Sequence, residues 1–273
     1  MRRLTGKITL SGIGLHSGKE CSVTLEPYET DGVILCSDGE EYLLNTLFAD
    51  GTKRGSDYIF PSGERIRTCE HVLSSLCGMQ IYSGVRITVE GGEMPAVDGC
   101  AERLCFEIMG SSFDDEEEMR FATICNPLMV SSDDGMRFAC AFPDDKFHVT
   151  YTVEYPYVGV QTYDYISGVT NYVEEIACAR TFAMKSEIEY LRSHGMALGG
   201  TLKNAIVIGE VIEADGGLRW PDEFVRHKVL DIMGDIYSVG YPVKAHIIAM
   251  RAGHELHLRL AEKMKGAMIK CLR

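Results

Sequence analysis

Several features that define common protein classes are missing from this chain of 273 residues. No run of 18 apolar residues occurs, so the sequence predicts no membrane-spanning helix. Residues 1–6 turn polar before the apolar core of a secretion signal could form, and we therefore expect a cytoplasmic protein. Positive charge is also scarce. The 27 Lys and Arg against 40 Asp and Glu give a formal net charge of -13, which argues against nucleic acid as a partner.

The ten cysteines do not form the pattern of a disulfide scaffold. They are dispersed, contain no CxxC pair, and several lie in apolar runs, so we expect reduced and mostly buried thiols. The glycine-rich segment 12–18 lacks the Lys-Ser/Thr ending of a phosphate loop and the spacing of a dinucleotide fingerprint. We interpret it as a tight connection that brings His16 near a pocket.

An acidic segment at 111–118 divides the chain into two halves. Its five successive acids cannot be buried and resist regular packing, so we predict a domain junction there. Each half mixes strand-like and helix-like patterns and is predicted to be α+β. Strands are expected at 21–25, 85–89, 137–142, 147–154, 205–212 and 245–250, and helices at 69–77, 101–109, near 173–179, around residue 227 and at the C-terminal end. A duplicated architecture is possible but shows no repeated residues.

The segment 226–235 combines helical periodicity with chemically active side chains. His227, Asp231 and Asp235 follow each other at intervals of four residues, which places them on one stripe of a helix opposite an apolar face. A solvent-exposed helix face would show the same pattern. Gly234, close to the stripe, favours a cleft because it permits close approach of a ligand or another backbone.

A second pattern lies far upstream, at 68–72. Glu70 and His71 are adjacent, and together with the downstream stripe they supply two imidazoles, a ligand carboxylate and a spare glutamate. This is the set of groups found in a hydrolytic zinc site. An ordinary exposed pair on an amphipathic helix remains the alternative.

Two further side chains have an ambiguous local context. His254 is predicted on the turn after a strand, where catalytic groups occur but where a lone histidine is more often an ordinary surface residue. Thr181 follows a helix-like segment, and its hydroxyl could stabilise an oxyanion or cap the helix.

Taken together, the motifs resemble the UDP-3-O-acyl-N-acetylglucosamine deacetylases, the zinc amidases of lipid A biosynthesis. The resemblance is collinear over nearly the whole chain and rests on segments 12–18, 68–71, 94–99, 179–182, 189–191, 198–200, 223–235 and 253–254.

The resemblance implies two similar domains, each a β-sheet with two helices, packed as a β-α-α-β sandwich. We expect the first domain at 1–115, contributing Glu70 and His71, and the second at 119–273, contributing His227, Asp231 and His254. An insert around 186–219 would form a hydrophobic passage for an acyl chain. The run 205–208 is compatible with an apolar wall of that passage or with a buried strand.

By the same resemblance, Zn²⁺ would be bound by His71, His227 and Asp231, with a coordination position left for water. Glu70 is similar in position to the general base of the family.

Three more residues would complete the catalytic group. His254 would act as a cationic stabiliser or general acid, Asp235 would orient it, and Thr181 would share the charge on the carbonyl oxygen.

The substrate would be contacted by residues of both halves. These are Lys228, Arg251, Phe182, Leu15 and His16. The implied partner is a UDP-linked acylated amino sugar, and we expect the protein to act as a monomer. The alternatives are a zinc amidase for another acylated amino sugar and a non-catalytic nucleotide-sugar binding protein on the same fold.

Overall fold

The computed structural model describes residues 1–52, 54–115 and 121–271, with side chains described up to residue 268 in the last helix. It has the α+β class expected from the sequence. The α-helices are α1 (Glu70–Gly78), α2 (Glu102–Gly110), α3 (Ile188–Ser193), α4 (Glu223–Ile236) and α5 (His254–Cys271). The helix expected near 173–179 is a single π-helical turn, Val173–Ala177.

The main sheet of the N-terminal half has five strands. They are β2 (Ile8–Ile13), β3 (Glu20–Pro27), β4 (Val33–Ser37), β5 (Glu40–Leu43) and β9 (Val85–Glu90). Their spatial order is β2-β3-β9-β4-β5, and all pairs are antiparallel except β4 with β9. The alternating burial along β3 and β9 puts Val23, Leu25, Ile87 and Val89 on the core side.

The C-terminal half contains a second large sheet. Its path is formed by β12 (Leu128–Ser131), β13 (Phe138–Pro143), β14 (Phe147–Tyr155), β15 (Gly159–Ile166) and β18 (Val243–Met250). The order is β12-β13-β18-β14-β15, and β14 with β18 is the parallel pair on this path. A short strand, β11 (Ala122–Thr123), also pairs with β18.

The two sheets share one topology. In each, four consecutive strands are joined by a fifth that inserts between the second and third strands, parallel to the third. In each half, one helix precedes this inserted strand and another follows it: α1 and α2 around β9, α4 and α5 around β18. The duplication that residue identity does not reveal is therefore present in the strand order.

Small sheets complete the structure. They are β6 (Phe48–Asp50) with β7 (Asp57–Ile59) and β8 (Arg65–Ile66), β1 (Arg2–Leu4) with β10 (Ser112–Asp114), and β16 (Phe182–Met184) with β17 (Ile206–Ile208).

The β1–β10 pair corrects one expectation about the acidic segment. Its first residues do pack regularly, because Arg2 forms an ion pair with Asp114 at 3.1 Å across the pair and Arg3 forms one with Asp115. Residues 116–118 of the predicted junction lie outside the described residues.

Helices α1 and α4 lie against each other between the two halves. Their close approach depends on Gly234, since a Cβ at this position would lie 2.0 Å from the Glu70 carbonyl oxygen. One continuous cluster of buried apolar residues joins α1, α4 and the two large sheets. Among the described residues, no helix is both long enough and apolar enough to cross a membrane.

Candidate active site

The first turn of α1 and the middle of α4 bring three candidate metal ligands together. The Asp231 Oδ1 atom lies 3.3 Å from His227 Nε2 and 3.7 Å from His71 Nε2. The two imidazole rings stand at 90° with centroids 5.0 Å apart. One ligand atom from each residue lies within 4.8 Å of the others, so the three can contact a single ion.

The polar stripe of α4 is buried. His227, Asp231 and Asp235 are at most 1% exposed, because the stripe faces α1 and α5. The interpretation of α4 as a helix with a solvated face is therefore wrong. Gly234 permits the close approach that the sequence suggested, and the group that approaches is the backbone of Glu70.

The donors and acceptors around Asp231 leave one oxygen without a partner. Its Oδ2 atom accepts a hydrogen bond from Lys228 Nζ at 2.6 Å, whereas the buried Oδ1 has no hydrogen-bond partner in the described structure. His227 Nδ1 lies 2.9 Å from the Ala179 carbonyl, which must accept its proton and so leaves Nε2 with a lone pair. An unpartnered carboxylate oxygen facing imidazole nitrogens is the environment a cation would complete.

The protonation states of the three residues also suit metal ligands. Burial lowers the pKa of His71 to about 3 and also lowers that of His227, so both imidazoles are neutral, as metal ligands must be. Burial alone would raise the pKa of Asp231, but its electrostatic interactions with the neighbouring His227 and Lys228 outweigh burial and hold the pKa far below its usual value.

Asp235, one turn further along α4, has every oxygen occupied. Its Oδ2 atom accepts hydrogen bonds from His254 Nδ1 at 2.9 Å and His257 Nδ1 at 2.7 Å, and Ser56 Oγ donates to Oδ1. His257 Nε2 is in turn 2.9 Å from the Tyr151 hydroxyl, which donates to the Ala252 carbonyl at 2.7 Å. This network fixes the ring of His254 at the N-terminus of α5.

His254 is the first residue of α5, so its expected place on a turn shifts to a helix start. Burial opposes its positive charge, but Asp235, Asp231 and Glu70 outweigh burial and raise its pKa to about 9. The ring is therefore an imidazolium near neutral pH. Its Nε2 atom lies 3.8 Å from Asp231 Oδ2, which puts the charge beside the candidate metal ligands.

Glu70 opens α1 and is 3% exposed. The Ser56 backbone N–H donates to its Oε2 at 2.8 Å. Burial raises the pKa of Glu70 to about 7, with the His254 charge opposing the shift. A carboxyl that changes protonation near neutral pH is suited to accept and return a proton.

A cavity of about 1180 Å³ opens over these groups. It is lined by all three candidate ligands, by Glu70 and His254, and by every residue expected to contact substrate or oxyanion: Leu15, His16, Thr181, Phe182, Lys228 and Arg251. Asp235 is not among the lining residues and lies behind His254. The structure thus brings every predicted site residue except Asp235 to the wall of one cavity.

Phe182 lines the cavity together with several of the residues that it contacts. Its ring lies 5.9 Å from the His227 ring and 5.1 Å from that of Tyr155, and Lys228 Nζ is 5.5 Å from its centroid. Arg251 has a positive φ of 48° and forms an ion pair with Glu154. The positive charge of the Arg251 guanidinium is therefore partly neutralised by the Glu154 carboxylate.

The insert expected around 186–219 contributes both apolar and polar residues to the cavity wall. The run 205–208 was compatible with an apolar cavity wall or with a buried strand, and its residues divide between the two. Ile206 and Ile208 are fully buried in a small separate core with Phe224, while Ala205 and Val207 line the cavity. Met184, Ile188, Leu191 and Leu202 also face it.

Sequence reasoning missed three polar residues that hold the site together. His257 could have been found, because the spacing of His254 and His257 puts them on one helix face. Ser56 gives no local signal. Glu93 is buried and accepts N–H donors from His16 at 2.7 Å and Ser17 at 2.8 Å, which fixes the glycine-rich connection.

Comparison with known proteins identifies the family of this chain. The family model described as UDP-3-O-acyl N-acetylglycosamine deacetylase matches residues 1–266. The chain belongs to this family. Its members are metal-dependent deacetylases, so the protein is a hydrolase whose substrate class is an acylated UDP-sugar.

Curated relatives support family membership over at least 94% of the chain. A UDP-3-O-acyl-N-acetylglucosamine deacetylase of Myxococcus xanthus (strain DK1622) is 35% identical over 277 residues, covering 96% of this chain and 85% of the relative. The proteins of the same name from Neisseria gonorrhoeae (strain ATCC 700825 / FA 1090) and Syntrophus aciditrophicus (strain SB) are 34% and 33% identical, covering 94% and 96% of this chain and 87% and 85% of their own lengths.

Proposed function

We propose that the protein removes the N-acetyl group of UDP-3-O-acyl-N-acetylglucosamine, giving UDP-3-O-acyl-glucosamine and acetate, as a step of lipid A biosynthesis in the cytoplasm. The observation that carries this proposal is the cluster of His71, His227 and Asp231 at the cavity, with an unpartnered Asp231 oxygen. Glu70 and His254 line the same cavity.

We propose Zn²⁺ as the ion. Two neutral imidazoles and one carboxylate are a typical ligand set of catalytic zinc, and the buried Oδ1 atom of Asp231 lacks any other partner in the described structure. When bound, zinc would polarise the acetamide carbonyl and lower the pKa of a coordinated water.

Glu70 is the proposed general base. Its pKa of about 7 leaves a large ionised fraction near neutral pH, and from its place next to His71 at the start of α1 it would be close to a water held by the ion. Glu70 takes a proton as water attacks the carbonyl. The backbone N–H of Ser56 holds the carboxylate in place during this transfer.

His254 and Thr181 are the proposed stabilisers of negative charge. The His254 imidazolium faces the cavity with Asp235 behind it, so its positive charge is available as the carbonyl oxygen becomes an oxyanion. His254 can also protonate the leaving amine. The Thr181 hydroxyl donates to the same oxygen.

The remaining cavity residues are proposed to bind the substrate. Lys228 and Arg251 supply positive charge for the diphosphate. Phe182, Leu15 and His16 border the sugar, and the apolar insert accommodates the acyl chain.

We also propose two domains, 1–115 and 119–273, of which residues 53, 119, 120, 272 and 273 lie outside the described ones. The repeated strand order supports this division. The helices between the two large sheets support a β-α-α-β sandwich. We propose that the protein acts as a monomer.

The test uses two variants of residues that are adjacent in sequence. His71→Ala should lose the metal and the activity, whereas Glu70→Gln should retain the metal and release acetate about 10²–10⁴-fold more slowly. Metal analysis and acetate release from the UDP-sugar are measured together. Near-normal turnover by Glu70→Gln would exclude Glu70 as the base, and acetate release only from a different amino sugar would indicate another amidase.

A further inference from the structure

A buried ion pair connects the segment before β16 to the start of α4. Glu223, the first residue of α4, is fully buried, and Arg180 is 4% exposed. Arg180 Nε donates to Glu223 Oε1 at 2.9 Å and Nη2 donates to Oε2 at 3.1 Å, which is a two-point contact between planar groups. Neither residue is among those that line the cavity, so neither is placed to contact the substrate.

The same two side chains also hold backbone groups. The N–H of Arg180 donates to Glu223 Oε1 at 3.1 Å, and the N–H of Arg219 donates to Oε2 at 2.7 Å. The Arg180 guanidinium reaches the end of the insert, where it donates to the carbonyls of Asp215 at 2.9 Å and Gly217 at 2.6 Å. Residue 180, the stretch 215–219 and the start of α4 are therefore fixed to one another.

Stability alone does not explain a pair of this kind. Removing two charges from water is costly, and apolar residues of similar volume are often at least as stable in their place. An apolar pair supplies no direction, whereas each hydrogen bond of Arg180 and Glu223 fixes a particular atom. The relevant property of the pair is therefore the backbone geometry that it sets.

The backbone that the pair fixes is the one that orients His227. The carbonyl of Ala179, the neighbour of Arg180 in sequence, accepts the proton of His227 Nδ1 at 2.9 Å. Glu223 and His227 are four residues apart on α4 and thus lie on the same side of the helix. The ion pair ties the acceptor carbonyl to α4 one turn away from the ring that it holds.

We propose that Arg180 and Glu223 are positioning residues for metal binding. By holding Ala179 against α4, they keep the proton of His227 on Nδ1 and the lone pair on Nε2, which lies 3.3 Å from Asp231 Oδ1. The inference rests on the proposed function for the role of the ion. The orientation of the ring is a property of the metal-free chain and can be measured there.

Two variants separate positioning from stability. Glu223→Gln leaves the Arg180 charge buried without a partner, so it should lower both Tm and the affinity for zinc. The double variant Arg180→Met/Glu223→Gln removes the unpaired charge and should recover much of the Tm. Its zinc affinity, measured by competition with a chelator, should still be about 10–100-fold below wild type. Recovery of zinc affinity together with Tm would mean that the pair only stabilises the fold, and would overturn the proposal.

The tautomer of His227 is measured in the metal-free protein by long-range ¹⁵N–¹H NMR, with the signal assigned by comparison with His227→Gln. The proton should be on Nδ1 in the wild type, and both tautomers should be present in the double variant. Asp222→Asn is the matched control. Asp222 pairs with Arg226 at 2.8 Å at the same end of α4, and in the described structure neither hydrogen-bonds to residues 179–181. This control should keep the wild-type tautomer and bind zinc within about twofold of wild type.

Acetate release tests the proposed function separately. If the wild type shows the expected tautomer and zinc affinity but releases no acetate from the UDP-sugar, the proposed function fails and the positioning by Arg180 and Glu223 stands. An unchanged tautomer and unchanged zinc affinity in the folded double variant would overturn the positioning, whatever the activity.

Discussion

Two aspartates on one helix illustrate how surroundings determine a role at the scale of a residue. Asp231 and Asp235 are equally buried and one turn apart on α4. Asp235 accepts hydrogen bonds from three side chains, whereas Asp231 has one oxygen without a partner. The first arrangement orients neighbours, and the second is open to a metal.

Removing the charge of each aspartate should therefore have different effects. Asp231→Asn should lose most of the bound metal, because a neutral amide is a poor ligand. Asp235→Asn should bind metal within about tenfold of wild type but lower kcat by about 10–100-fold, since His254 loses its charge partner. Metal analysis and steady-state kinetics separate the two. Equal metal loss in both variants would contradict the assigned roles.

The dependence of activity on pH follows from Glu70 and His254. Activity needs an ionised Glu70, whose raised pKa of about 7 makes kcat/KM increase as the pH rises through that value. It also needs a protonated His254, whose raised pKa of about 9 makes kcat/KM fall above it. A pH profile of acetate release should be bell-shaped.

His254→Gln should lose the decrease at high pH and keep the increase near neutral pH. An unchanged alkaline limb in this variant would mean that another group titrates there.

At the scale of elements, the contact between α1 and α4 sets the geometry of the site. These helices supply the base and all three candidate ligands, and they approach so closely that Gly234 faces the Glu70 backbone. Any side chain at 234 must move α4 away from the N-terminus of α1.

Gly234→Ala should destabilise the protein by about 1–3 kcal/mol, because the added methyl group collides with the backbone. It should also weaken metal binding, since His71 and Asp231 move apart. Gly266→Ala is the matched control. Gly266 lies in α5 with no atom within 4 Å of a Cβ, so the variant should be neutral or more stable by about 0.5–1 kcal/mol. Urea unfolding measures the stability of both variants. Equal stability would contradict the close contact of residue 234 with the Glu70 backbone.

Sequence patterns predicted the elements better than the contacts between them. Periodicity places residues on a face of their own element, so α1 and β14 were expected within one residue of their observed bounds, and α4 was expected around residue 227. It carries no information on which distant segment covers that face. Without the family resemblance, His227 could have faced water, and Ser56 at the start of a short strand has no pattern that links it to Asp235.

At the scale of the whole molecule, the duplicated topology explains the position of the site. Helices α1 and α4 occupy equivalent places, each directly before the strand that inserts into its sheet. Their packing against each other brings residues 71 and 227 together, although 155 residues lie between them. The sequence showed two halves with similar numbers of strands and helices. Only the strand order reveals the repeat, because the two sheets share the same pattern of strand pairing but not the same residues.

Because one apolar core joins both sheets, the chain should unfold in a single transition. An ion that binds only the folded state stabilises it by about 2.7 kcal/mol at a free concentration 100-fold above Kd. For a chain of this size that corresponds to an increase in Tm of roughly 5–10 °C. Calorimetry of the metal-free protein, before and after zinc is added, measures this increase in Tm. The increase should be smaller in His71→Ala, since the ion at the α1–α4 contact is lost. Two separate transitions, or equal increases in both proteins, would show that the halves are not joined through this site.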